Sequence, residues 1–172
     1  MHTAKWDKHA ELKNKNIGII GSAASAIQVI PEVAKIAKKL KVFQRTPNYI
    51  IPRGDRAYKK SQKRRFRKFP WLLKLLRWFL YMRLELITFP VIRKNSFTGK
   101  RAAKSIIKYM KSSIKNSSLK EFFVPDYSLG CKRILLSDNL FQTINRDNVE
   151  VVTNEIFSFN KNGITTNDLT NY

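Results

Sequence analysis

The sequence predicts an α/β fold: a parallel strand–helix–strand unit interrupted by a long helical insertion. Three observations carry this. Asn16-Ile-Gly-Ile-Ile-Gly21 is a short apolar run closed by glycine and reads as a buried strand. Ala24, Ile27, Ile30, Val33, Ala34 and Ala37 follow at spacings of three and four, which is helical. Lys41-Val-Phe-Gln-Arg45 is a second short strand candidate, so 16–45 has the length and order of a βαβ unit. Pro31 inside the helical run predicts a kink or a late helix start. Thr46 to Pro52 is bracketed by prolines and reads as a loop.

The elements after this unit differ in kind. Arg53 to Lys68 is a basic run. Phe69 to Ile92 is apolar and aromatic, but Lys74, Arg77, Arg83 and Glu85 interrupt it. A charge at a bilayer centre costs about 2.5–3.5 kcal/mol, which argues against a membrane span. Leu72, Leu75, Leu76, Phe79 and Arg83 predict an amphipathic helix ended by Pro90. Ile106, Ile107, Met110 and Ile114 predict another over 100–115. Pro125 to Gly130 is turn-like, and 132–136 is short and apolar. Ser137-Asp138 can cap a helix through about Asn145. Val149–Thr153 alternates as a strand, and 156–166 with Asn162-Gly163 reads as a β-hairpin.

Composition excludes several classes of chemistry. The chain has 172 residues, enough to bury a core, and 43% are hydrophobic. One cysteine, Cys131, rules out an internal disulfide or a multi-cysteine zinc site. Two histidines, His2 and His9, argue against a His-rich metal centre or a Ser-His-Asp triad, so no metal is expected. No apolar signal-peptide core opens the sequence, and a cytoplasmic location is the default. The net charge of +22 is uneven, with 30 basic and 6 acidic residues up to Pro125 but 4 and 6 after it. Such a stripe beside aromatic residues suits an anionic membrane surface or nucleic acid. No nucleic-acid recognition motif accompanies it, and a charge run is more often a solvated face.

Gly21-Ser-Ala-Ala-Ser-Ala26 stands where a Rossmann phosphate turn stands, between strand and helix. Glycine permits the tight turn, and the helix N-terminus offers free N–H groups to a pyrophosphate. Ala23 occupies the usual second glycine position and Ala26 the third, so an ordinary strand-to-helix turn reads equally well. Arg45 lies twenty-four residues beyond Gly21, where an NAD site usually places an acid. With Thr46 it suits a 2′-phosphate, hence NADPH; a surface arginine of a basic protein is the alternative.

These residues also resemble the class B flavoprotein monooxygenases, the Baeyer–Villiger enzymes and their flavin-containing relatives. His2-Thr-Ala-Lys-Trp6-Asp7 is similar to the end of that family's fingerprint. Asn16 to Arg56 resembles its NADPH-binding segment, through Ile-Gly-Ser-Ala-Ala-Ser-Ala-Ile-Gln and Val-Phe-Gln-Arg-Thr-Pro-Asn, although the family has glycine at Ala23. Pro125-Asp-Tyr-Ser-Leu-Gly-Cys-Lys-Arg133 is similar to a later motif, and Asn148–Thr153 and the hairpin continue the pattern.

The resemblance implies an incomplete two-dinucleotide-domain fold. Residues 1–15 would be a linker from an FAD domain, and 16–56 the NADPH-binding βαβ unit. Residues 57–120 would be a basic helical insertion, and 121–172 the remainder of the NADPH domain. Gly21, Ser22, Ala23, Ser25 and Ala26 would line the pyrophosphate turn. Arg45, Thr46 and Lys132 would hold the 2′-phosphate. Arg133 would be catalytic, stabilising an anionic peroxyflavin with a permanently charged guanidinium. His2, Trp6 and Asp7 would belong to a hinge between domains; Cys131 needs no redox duty and His9 no role. The implied activity inserts one atom of O2 into a ketone, or oxidises a heteroatom of a small organic substrate, through a C4a-peroxyflavin. NADPH and FAD would be the cofactors, with the FAD site largely outside this chain. The expectation is a fragment inactive alone, partnered by the FAD-binding remainder. Peripheral membrane contact through 57–92 stays open beside this reading, and a nucleic-acid partner is not expected. The alternative function is a basic helical module binding an anionic membrane surface or nucleic acid.

Overall fold

A computed structural model describes residues 1–93, 96–161 and 163–172. Its centre is a parallel sheet in the order β1 (Asn16–Ile20), β2 (Lys39–Phe43), β5 (Val149–Val152). Helix α1 (Ala26–Ile36) connects β1 to β2 and buries Ile27, Ile30, Val33 and Ala34, the stripe its periodicity predicts. Each large apolar side chain on that stripe contributes about 1.5–3 kcal/mol by leaving water. The helix neither starts nor stops at Pro31; it begins five residues earlier and keeps that proline buried within it. Proline has no N–H for the Ile27 carbonyl, but its φ is already helical, and burial of its ring and of Ile30 holds the segment.

The second strand lies two residues earlier than expected, because Leu40 and Val42 are the positions that point into the core. Gln44 and Arg45 therefore fall beyond the strand end. The loop at 46–52 contains a further strand, β3 (Ile50–Ile51), paired in parallel with β4 (Leu135–Leu136). Two-residue strands carry too little alternation to be read from sequence.

Helices α2 (Lys60–Lys68), α3 (Trp71–Ile92), α4 (Phe97–Ser113) and α5 (Ser117–Phe122) fill the middle of the chain. Among the described residues, no strand lies between Ile51 and Leu135. Helix α4 starts at Phe97 because the Ser96 hydroxyl accepts from Gly99 N at 2.9 Å, an N-cap. It reaches the core through Met110, and Ile114 follows. Helix α3 departs from expectation at its end. It continues past Pro90 to Ile92, and it buries no residue. The Thr98 hydroxyl donates to the Pro90 carbonyl at 2.9 Å, and Arg93 N donates to the Phe89 carbonyl at 3.1 Å. Gly99 packs so closely that an added Cβ would clash with the Val91 carbonyl oxygen. These contacts pin the end of α3 to α4 despite the proline.

Helix α6 (Leu140–Ile144) begins later than the Ser137-Asp138 signal implied. Ser137 Oγ accepts from Leu140 N at 3.2 Å, while Asp138 Oδ1 accepts from Gly54 N at 3.1 Å. Strands β6 (Ile156–Asn160) and β7 (Gly163–Thr166) form the expected antiparallel hairpin. The Asn162 of its expected Asn-Gly turn lies outside the described residues.

Phe123 is 1% exposed and meets Phe122 and Phe141 edge-on, joining α5 to α6. Phe123→Ala should destabilise the chain by about 3–5 kcal/mol in urea unfolding. Phe157→Ala, at a position 69% exposed, should change it by less than about 0.5 kcal/mol.

Candidate functional site

Parallel pairing places the carboxyl ends of β1 and β2 side by side, with Ile20 opposite Phe43. Gly21 N donates to the Phe43 carbonyl at 2.9 Å, so the chain turns away at the sheet's edge. It does so at φ +101°, a conformation that favours glycine. Residues 22–25 then lead into α1. Helical bonds begin with Ile27 N donating to the Ala23 carbonyl at 3.1 Å. Among the described residues, no protein group accepts from the amides of Ser22 to Ala26. A row of free N–H groups at the N-terminus of an eleven-residue helix is suited to a phosphate. Ala23 is exposed, so its methyl faces outward rather than into a packed wall.

Arg45 and Thr46 follow β2 at the same edge, and both are exposed. Gln44, buried at 4% exposure, donates from Nε2 to the Thr46 carbonyl at 3.1 Å and fixes this turn. Asn48 donates from Nδ2 to Ser22 Oγ at 3.4 Å, tying the loop after β2 to the turn after β1. The Tyr127 hydroxyl donates to the Pro47 carbonyl at 3.1 Å and meets Asn48 Oδ1 at 3.4 Å. Tyr49 donates to the Tyr127 carbonyl at 2.9 Å, and the two rings meet edge-on at 5.5 Å. Burial pushes both phenols above their ordinary range, so both remain protonated donors at neutral pH. Lys132 Nζ sits 4.5 Å from the centre of the Tyr127 ring, a cation–π contact. A chain of contacts thus runs from Ser22 through Asn48 and Tyr127 to Lys132, and the Tyr127 hydrogen bonds join residues 80 and 79 positions apart.

Arg133 is exposed and makes no hydrogen bond or ion pair among the described residues. His2, Trp6 and Asp7 make no hydrogen bond to the turn at 21–26. His2 Nδ1 accepts from Ala4 N at 3.1 Å, Asp7 Oδ1 accepts from His9 N at 2.9 Å, and Trp6 is 43% exposed. Further on, Asn14 N bonds the Ile36 carbonyl at 2.8 Å, at the amino end of the strands. Cys131 is free and exposed, and no group of three or more metal-ligating side chains occurs among the described residues. Sequence reasoning gave Asn48, Tyr49 and Tyr127 no role. The signal available was their place in Thr-Pro-Asn-Tyr and Pro-Asp-Tyr, the motifs on either side of the insertion.

A parallel sheet, a glycine turn at its carboxyl edge and an open helix N-terminus define a Rossmann-type dinucleotide-binding unit. No protein-family model matches the chain. It is 38% identical over 165 residues to a Baeyer–Villiger monooxygenase of Pseudomonas aeruginosa, covering 95% of this chain and 31% of that protein. A Baeyer–Villiger monooxygenase of Streptomyces coelicolor is 35% identical over 153 residues, covering 88% of this chain and 29% of its own. A steroid monooxygenase solved with NADP superposes at a TM-score of 0.78 with 26% identity, covering 99% of this chain and 39% of that one. A cyclohexanone monooxygenase from Rhodococcus sp. Phi1, solved with NADP+, has the same fold at a TM-score of 0.82, covering 100% of this chain and 39% of that one. The chain is similar, as a partial stretch, to Baeyer–Villiger monooxygenases and has the fold of the NADP-bound monooxygenases over that stretch. It spans about a third of the length of the curated relatives it matches.

An added Cβ at Gly21 would meet nothing within 4 Å, so any penalty there is purely conformational. Gly21→Ala should cost about 1–3 kcal/mol in chemical denaturation through its positive φ, without a packing defect.

Proposed function

We propose that this chain is the NADPH-holding part of a flavin-dependent monooxygenase that oxidises a ketone or a soft heteroatom. The observation carrying this is the free amide row at 22–26 beside Arg45, with Lys132 tied to the same loop through Tyr127. These residues fit the cofactor. The amides would take the pyrophosphate, and Ser22 and Ser25 add hydroxyls beside it. Arg45, Thr46 and Lys132 would take the 2′-phosphate, for which two permanent or near-permanent cations are the matching donors. NADPH would supply the hydride and FAD the oxygen chemistry. Arg133, with no hydrogen bond or ion pair among the described residues, would be available to an anion formed at the flavin. The chain contains no Gly-x-Gly-x-x-Gly motif for FAD, so the flavin would be held by sequence beyond this stretch. The matched relatives are monooxygenases, which does not support a free-standing basic binding module as the function.

Titration of the chain with NADPH should saturate. Arg45→Ala should weaken it about ten- to a hundredfold, the loss of a charge-assisted contact worth about 1.5–3 kcal/mol. Neutralising Lys60, Lys63 and Arg64 together should change it less than about threefold. Equal, poor binding of NADPH and NADH would overturn the reading.

Tyr127→Leu should weaken NADPH about three- to tenfold by releasing Lys132, whereas Tyr127→Phe keeps the ring and should lose less. Equal losses in both variants would show that the ring does not position the lysine.

A further inference from the structure

Helix α3 exposes apolar side chains that the dinucleotide unit does not use. Trp78 is 61% exposed, Phe79 56%, Leu86 68% and Phe89 62%. Its polar residues are not scattered. Lys74, Arg77, Tyr81, Glu85 and Thr88 recur at three and four, which places them along one narrow stripe. The rest of the circumference is apolar apart from Arg83. A 22-residue helix is about 33 Å long, so this is a large apolar face to leave in water. None of the described helices is long and apolar enough to cross a membrane.

The neighbouring helix identifies the partner. Helix α2 exposes Lys60, Lys63, Arg64, Arg65, Arg67 and Lys68. From Arg56 to Leu84 there are eleven basic residues and no acidic one. None of the eleven forms an ion pair among the described residues. The two helices share an open groove of about 420 Å³, lined by Arg65 and Phe66 from α2 and by Leu72, Leu75, Trp78 and Phe79 from α3. Arg65 of α2 therefore borders the apolar side chains of α3 in this groove, and the other α2 cations stand on the adjoining helix.

We propose that α2 and α3 dock this chain on the surface of an anionic lipid bilayer. The apolar face of α3 enters the boundary between headgroups and acyl chains, where Trp and Tyr are at home. The α2 cations pair with anionic headgroups, and Arg83 reaches the same layer along its aliphatic stem. A protein partner would have to be acidic and apolar on one matching surface; an anionic bilayer presents both layers everywhere. The inference is independent of the NADPH reading, since it uses none of those residues.

The test is co-sedimentation of the whole chain with vesicles of phosphatidylcholine alone and of phosphatidylcholine mixed with phosphatidylglycerol. Binding to the mixed vesicles should be at least about tenfold tighter and should fall with added salt. Emission from Trp71 and Trp78, followed in a Trp6→Phe background, should shift to the blue on binding. Leu75→Ser with Leu86→Ser, both at exposed positions, should weaken vesicle binding about tenfold or more and leave the circular dichroism spectrum and NADPH titration unchanged. Equal binding to both vesicle types, or none, would overturn the proposal. So would a stable dimer in sedimentation velocity that the two serines dissociate, which would make this face a contact between copies. DNA binding tighter than vesicle binding and insensitive to the serines would overturn it in favour of a purely electrostatic partner.

Discussion

Helix α1 rests on the sheet through Ile27, Ile30, Val33 and Ala34, over Leu40 and Val42 of β2. Ala34 and Leu40 are both 0% exposed, so helix and strand meet with no intervening space. The site depends on this packing. It holds the helix against strands that run in parallel, and the N-terminus of α1 then opens at their carboxyl ends. Asn148 reinforces the far end, donating from Nδ2 to the Ala34 and Ala37 carbonyls at 2.9 and 3.1 Å and so satisfying groups that a helix terminus leaves open. It leads directly into β5, so the third strand and the helix are fixed to each other.

From that frame the charges divide into two groups with different physics. Arg45 and Lys132 stand at a turn whose backbone amides already favour an anion, and Tyr127 restrains the lysine. Few charges suffice there because geometry concentrates them. The cations of α2 are numerous and exposed, form no ion pair among the described residues, and act as a field rather than as individual contacts. The net charge of +22 consequently reports on the insertion and says little about the dinucleotide turn.

The local elements were legible in the residues. Glycine after an apolar run, a stripe at three and four, and Arg45 at its distance from Gly21 are short-range patterns, and the βαβ unit follows from them. Boundaries moved where tertiary contacts outweighed local signals. Pro90 does not end α3 because α4 closes on it through Thr98 and Gly99. The leucine and phenylalanine spacing of α3 predicts an amphipathic helix without saying what its apolar side meets; Leu72 and Leu76 are half-buried while Leu75 and Phe79 remain exposed.

The sequence by itself determined the order of strand, glycine turn and helix, and the family resemblance of its motifs. These depend on residue type and spacing, which chain geometry converts directly into local structure. Only the tertiary structure decided that Asn48 and Tyr127 bridge the two motifs across the insertion, that Ile50 and Leu135 pair, and that α3 buries none of its described residues. Such facts depend on contacts between residues far apart in the chain, and periodicity marks a side chain as apolar without saying what it will meet.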